Sequence, residues 1–110
     1  MTPWREYKKT NKYPELDKDI SADVCVIGGG LTGVLNAYRL SRAGKSVALV
    51  EKKEIAGYAT MDTTAFITKV IDSDLSEIVS IFGDKVARAV WQSGQEAVEE
   101  FDRIIREEKI

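Results

Sequence analysis

Histidine is absent from this sequence, and cysteine occurs once, at Cys25. The first absence removes Ser/His and Cys/His nucleophile pairs and nearly all zinc chemistry, so any reaction here must be carried by a bound cofactor. The second excludes an internal disulfide and fits a reducing cytoplasm. No apolar run approaches the length needed to cross a bilayer, and the start Met1-Thr2-Pro3-Trp4 is unlike a signal peptide. An excess of one charge is lacking too. The 16 Lys and Arg against 18 Asp and Glu leave −2, which gives no electrostatic case for nucleic acid or an acidic membrane surface. At 110 residues, the chain bounds one small domain at most.

What is present is a glycine turn in a specific setting. The run Asp23-Val24-Cys25-Val26-Ile27-Gly28-Gly29-Gly30-Leu31-Thr32-Gly33 reads as a strand, a turn and the start of a helix. Val24 to Ile27 is an unbroken apolar stretch, as expected of a parallel strand covered on both faces, so Cys25 reads as a buried small hydrophobe. Gly28 permits the tight turn, Gly30 clears space for backbone to approach a pyrophosphate, and Gly33 lets the helix pack on the strand. Unpaired N–H groups at Leu31 and Thr32 offer the positive end of the helix to phosphates. Leu35, Ala37, Tyr38 and Leu40 keep helical spacing, and Gly44 is the natural stop. Val47 to Val50 then gives a second strand. It ends in Glu51, where a carboxylate can accept both ribose hydroxyls of an adenine dinucleotide. That charge argues against a 2′-phosphate, although Lys52 and Lys53 soften the argument.

The flanks are less explicit. Residues 1–22 read as an extended N-terminal arm that packs its aromatics Trp4, Tyr7 and Tyr13 onto the domain, and residues 23–110 as a partial dinucleotide-binding domain of the FAD/NAD(P) type. Residues 52–73 are polar and threonine-rich. Within them, Ala65 to Ile71 fits either a short strand or a first helical turn. Asp74 with Glu77 has capping-box spacing, Gly83 ends that helix, and Asp84 caps a longer one. The apolar stripe of the long helix is Val86, Val90, Ala97, Val98, Phe101, Ile104 and Ile105. Trp91, beside it, reads as core or interdomain packing. The acids of this helix read as a solvated face, so no metal site is expected. The fold class is therefore α/β: the N-terminal part of a Rossmann-like domain, a βαβ unit plus following helices. Two parallel strands alone would leave both edges open, so the chain is expected to be a fragment whose remaining sequence completes the sheet.

The glycine run, Ala37, Leu40, Gly44-Lys45-Ser46-Val47 and Glu51 resemble the start of the D-amino-acid-oxidase-like family of FAD-dependent oxidoreductases. The likeness continues through Thr63-Thr64-Ala65 with Thr68 and through Phe82-Gly83-Asp84-Lys85-Val86-Ala87. Trp4-Arg5 and Tyr13-Pro14 are similar to one branch, whose members carry a C-terminal Rieske iron–sulfur domain. The resemblance implies that Gly28, Gly30, Leu31, Thr32 and Gly33 cradle the FAD pyrophosphate, that Glu51 holds the ribose, and that Lys52 lies beside the adenine. It implies further that Ala59, Thr60, Thr63, Thr64 and Ala65 line the inner phosphates and flavin edge. Met61, Asp62 and Phe66 depart from the pattern, standing where such relatives often have glycine, histidine and lysine.

The implied activity is oxidation of an amine or amino-acid-like small molecule by hydride transfer to flavin, with catalytic residues unknown and an iron–sulfur cluster left to a domain outside these residues. Two alternatives stand beside it. One is an NAD-dependent dehydrogenase, disfavoured by the threonine-rich segment where a second helix normally follows the acid. The other is a noncatalytic dinucleotide-binding module.

Overall fold

The structure is a computed structural model, and it describes residues 12–110. In chain order the elements are β1 (Val24–Ile27), α1 (Leu31–Arg42), β2 (Val47–Val50), a 3-10 turn (Tyr58–Thr60), α2 (Leu75–Phe82) and α3 (Asp84–Glu108). The chain forms two compact units, Met1–Thr64 and Ala65–Ile110.

The first unit is the βαβ element. β1 and β2 pair in parallel with Val24 opposite Val47 and Ile27 opposite Val50. Parallel neighbours need a crossover, and α1 supplies it. The ladder is extended at both ends, by the Val24 amide on the Ser46 carbonyl at 3.2 Å and the Gly28 amide on the Val50 carbonyl at 2.8 Å. Successive side chains of a strand point to opposite faces. A Cβ on Gly33 of α1 would stand 3.5 Å from Val26 Cγ1, so Val26, and with it Val24, faces the helix.

The other face of β1 departs from expectation. Ile27 is 86% exposed and Cys25 is exposed, where a strand buried on both sides was expected. The helix faces the Val24 and Val26 side of β1, while all four residues of β2 are half-buried.

α1 docks so closely that Gly33 is indispensable. A Cβ there would fall on the Gly28 carbonyl oxygen, a backbone atom that cannot swing away. At the far end, Gly44 takes a φ of +80°, and the Lys45 amide returns to the Leu40 carbonyl at 3.1 Å, closing the helix as its sequence indicated. Below the strands lies a reciprocal clasp. The Asp23 carboxylate accepts the Ser46 amide and hydroxyl, each at 2.9 Å, while the Asp23 amide donates to the same hydroxyl at 2.9 Å. The Ser46 amide, then its hydroxyl, hold the Asp23 carboxyl below the ordinary carboxylate range.

The N-terminal segment corrects one reading. Tyr13 is 70% exposed rather than packed, while Trp4 and Tyr7 lie outside the described residues.

The second unit is a helix pair. Ile78 of α2 and Ala87 and Ile104 of α3 are its buried apolar residues. The face of α3 that turns inward also includes Val90, Gly94, Val98 and Phe101, whereas Val86, Ala97 and Ile105 of the expected stripe are exposed. Gly94 belongs to this face because the chain at Lys69 runs against it: a Cβ would lie 2.6 Å from the Lys69 carbonyl oxygen. Ala65 to Ile71 forms neither a strand nor a helical turn. Trp91 is 41% exposed, with the Lys69 ammonium 5.5 Å from its ring centre.

Both capping expectations for these helices need correction. Asp74 does precede α2, but its backbone carbonyl, not its side chain, takes the amides of Glu77 and Ile78 at 3.0 and 3.1 Å. Asp74 thus stands at the N-cap position, but its carboxylate makes no capping bond to the first turn. Gly83, not Asp84, is the residue before α3. Its φ of 81° and ψ of 163° suit glycine alone, and it serves as stop for one helix and start for the next. Asp84 instead pairs with Arg88 one turn on, at 2.7 Å.

Two outcomes are expected from this packing. Gly33→Ala lowers the stability of the intact protein by about 2–3 kcal/mol or more in urea denaturation, because the overlap is with backbone. An effect no larger than that of Gly44→Ala would contradict the close approach. Asp23→Asn lowers stability at neutral pH. Because the carboxyl is held below its ordinary value of 3.8, its contribution is present above that pH and fades as pH falls through the folded value. Parent and variant stability curves therefore converge in acid.

Candidate functional site

Where β1 turns into α1, three glycines make a bend that is hemmed in by the segment following β2. Gly28 holds a φ of +103°, which side-chain-bearing residues rarely adopt. Gly29 is buried, and a Cβ on it would overlap Ile55 Cδ1 and lie 3.2 Å from Glu51 Cβ. At Gly30 a Cβ would meet only the Thr60 hydroxyl, at 3.3 Å. The sequence reading gave Gly29 no role. Its signal was its place in the middle of an uninterrupted glycine triplet, but what it faces depends on a loop whose path was not readable.

Glu51 sits just beyond β2 and turns toward the bend. Its Oε2 accepts the Gly29 amide at 2.7 Å and its Oε1 the Lys53 amide at 2.9 Å. Chiefly the Gly29 amide, then that of Lys53, keep its carboxyl below the usual glutamate range, so it is ionised at neutral pH. A carboxylate has about four acceptor positions, and these two bonds leave capacity for hydroxyl donors.

The segment after Glu51 closes over the turn. The Ala56 amide donates to the Gly29 carbonyl at 2.8 Å, and the Leu31 amide, first of α1, donates to the Thr60 hydroxyl at 3.0 Å. Gly30 precedes the helix and has no side chain to cap it. Val34 returns its amide to the Gly30 carbonyl at 2.9 Å, and the Thr32 and Gly33 amides have no acceptor among the described residues. Free amides at a helix start, aligned with its dipole, suit an anion.

Of the residues singled out from sequence, the structure gathers Gly28, Gly30, Leu31, Thr32, Gly33, Glu51 and Thr60 around this one helix start. Lys52 and Ala59 are exposed beside it, and Thr63 and Thr64 lie exposed on the chain after the 3-10 turn. Ala65 belongs to the second unit and carries a φ of 59°. The Lys53 ammonium is 4.9 Å from the Tyr58 ring centre. Among the described residues, no helix is long and apolar enough to cross a membrane.

Comparison with known proteins gives the chain a family. The chain is 33% identical over 109 residues to a Bacillus subtilis protein named as a Rieske 2Fe-2S iron-sulfur protein, YhfW, covering 99% of this chain and 21% of the relative. It is 33% identical over 81 residues to the gamma-glutamylputrescine oxidoreductase of Escherichia coli, covering 71% and 19%. A 41-residue stretch is 49% identical to the thiamine thiazole synthase of Desulfosudis oleivorans, covering 37% and 16%. The chain thus spans about a fifth of the length of the curated relatives it matches. No solved structure gives a significant match. Residues 23–110 match the family described as FAD dependent oxidoreductase, and they start at the carboxylate clasp and take in the glycine bend, its facing acid and the helices beyond: the chain belongs to that family.

Proposed function

We propose that this chain is the FAD-binding N-terminal portion of an oxidoreductase acting on an amine or amino-acid-like small molecule. The observation that carries the reading is the glycine bend faced by an ionised Glu51, with the Thr32 and Gly33 amides open at the start of α1. These features fit a dinucleotide: backbone amides for the pyrophosphate, a carboxylate for the ribose hydroxyls. In this reading Gly28, Gly30, Leu31, Thr32 and Gly33 hold the pyrophosphate. Glu51 grips the ribose with Lys52 near the adenine, and Ala59, Thr60, Thr63, Thr64 and Ala65 serve the inner phosphates and flavin edge. Bound FAD supplies the two-electron acceptor for a C–H bond beside nitrogen. The protein's own part is to fix the cofactor and exclude water, which needs no acid–base pair among these residues.

The substrate class is supported by the Escherichia coli relative, named for gamma-glutamylputrescine, an amine. The name of the Bacillus subtilis relative supports a Rieske cluster carried elsewhere in the same protein. Ile27, so exposed on β1, fits a sheet completed by further chain, with residues 1–22 as an arm outside the domain. A cytoplasmic setting suits the single cysteine.

The intact protein is expected to purify yellow, with flavin absorbance that bleaches when an amine substrate is added without oxygen. Gly30→Val should yield folded, colourless protein, since the added side chain meets Thr60 and fills the approach to the α1 amides. A colourless parent that binds NAD would replace this reading with a dehydrogenase. A flavin-loaded Gly30→Val protein would remove the proposed backbone approach.

A further inference from the structure

The segment after Glu51 is fastened across the glycine bend at three points. Ile55 packs against Gly29, the Ala56 amide donates to the Gly29 carbonyl at 2.8 Å, and the Thr60 hydroxyl takes the Leu31 amide at 3.0 Å. Between the fastenings, Ala56 and Tyr58 hold φ values of 58° and 55°, a left-handed conformation that disfavours residues with a side chain. Bonds to the bend hold the segment down against its own backbone preference. The last fastening occupies the first amide of α1, where the helix dipole favours an anionic acceptor over a neutral hydroxyl.

Resting on the FAD reading above, we propose that Thr60 is a displaceable internal cap: its hydroxyl stands on the Leu31 amide in the cofactor-free protein and yields that amide to a phosphate oxygen when the dinucleotide binds. The exchange favours the bound state, because a charged acceptor makes the stronger bond to the same N–H. It also requires residues 54–60 to lift, which relaxes the left-handed pair and makes the fastening a brake on association. Thr60 in this role acts through Leu31, and it governs how fast cofactor enters.

The test uses intact protein stripped of flavin, mixed with FAD in a stopped-flow instrument that follows flavin fluorescence. Thr60→Val keeps the shape and removes the acceptor. It should associate about three- to tenfold faster than the parent, the factor expected for one neutral hydrogen bond. Thr60→Ser, which keeps the hydroxyl, should match the parent. An unchanged or slower association in Thr60→Val, or a change confined to dissociation, overturns the proposal while leaving FAD binding intact. A parent that fails to bind FAD overturns both this and the reading beneath it. Hydrogen exchange of the parent gives a readout free of any variant. Loading FAD should speed exchange across residues 54–60 while protecting Leu31, and slower exchange across that segment would refute the exchange of caps.

Discussion

One hydrogen bond organises the first unit: the Gly29 amide donating 2.7 Å to the Glu51 carboxylate. It joins the turn after β1 to the end of β2, two points that the ladder alone would leave free to splay. A side chain on Gly29 would crowd this junction, displacing the Ile55 Cδ1 methyl and pressing on Glu51 Cβ. The same bond keeps the acid ionised and aimed at the glycines rather than at solvent. Where α1 begins and what its first amides meet both follow from that junction.

The two units are stabilised by different means. Among the described residues, the three buried apolar ones, Ile78, Ala87 and Ile104, lie in the helix pair, which follows the usual rule of an apolar stripe packed on a neighbour. In the first unit Gly29 is the one buried residue among those described, and order comes from backbone bonds and glycine approaches. The left-handed Ala56 and Tyr58 cost about 1–2 kcal/mol each, comparable with the net worth of the two hydrogen bonds that hold their segment. That near-balance marks residues 54–60 as the part of the first unit most readily moved.

The βαβ element was legible because its signals are local: an apolar run, a glycine at each end of the helix, a second apolar run and an acid. The helix pair was legible in outline, although the inward face of α3 includes Gly94 and leaves Val86 and Ile105 exposed. Gly94 escaped a periodicity argument because its role is set by the Lys69 carbonyl, 25 residues earlier in sequence. The caps at Asp74 and Asp84 failed for a related reason, since residue spacing names a capping side chain but neither where it turns nor where the helix starts: Asp74 stands at the N-cap without a side-chain bond, and Asp84 lies already inside α3. Thr60 was singled out as a hydroxyl near phosphate, but its bond to Leu31 spans 29 residues and depends on two left-handed backbones that no residue type announces. The exposure of Cys25 and Ile27 could not be read from an apolar run, which reports what a strand can bury rather than what covers it.

The clasp between Asp23 and Ser46 has a consequence for alignment. Short runs of valine, alanine and leucine are nearly interchangeable partners, so the apolar side chains alone do little to forbid a slip by two residues along β1 and β2, which keeps each of them on its own face. It would, however, pull Ser46 from its carboxylate and draw Glu51 off Gly29 in the same movement. Polar brackets at the two extremities thus define a single allowed pairing for strands only four residues long.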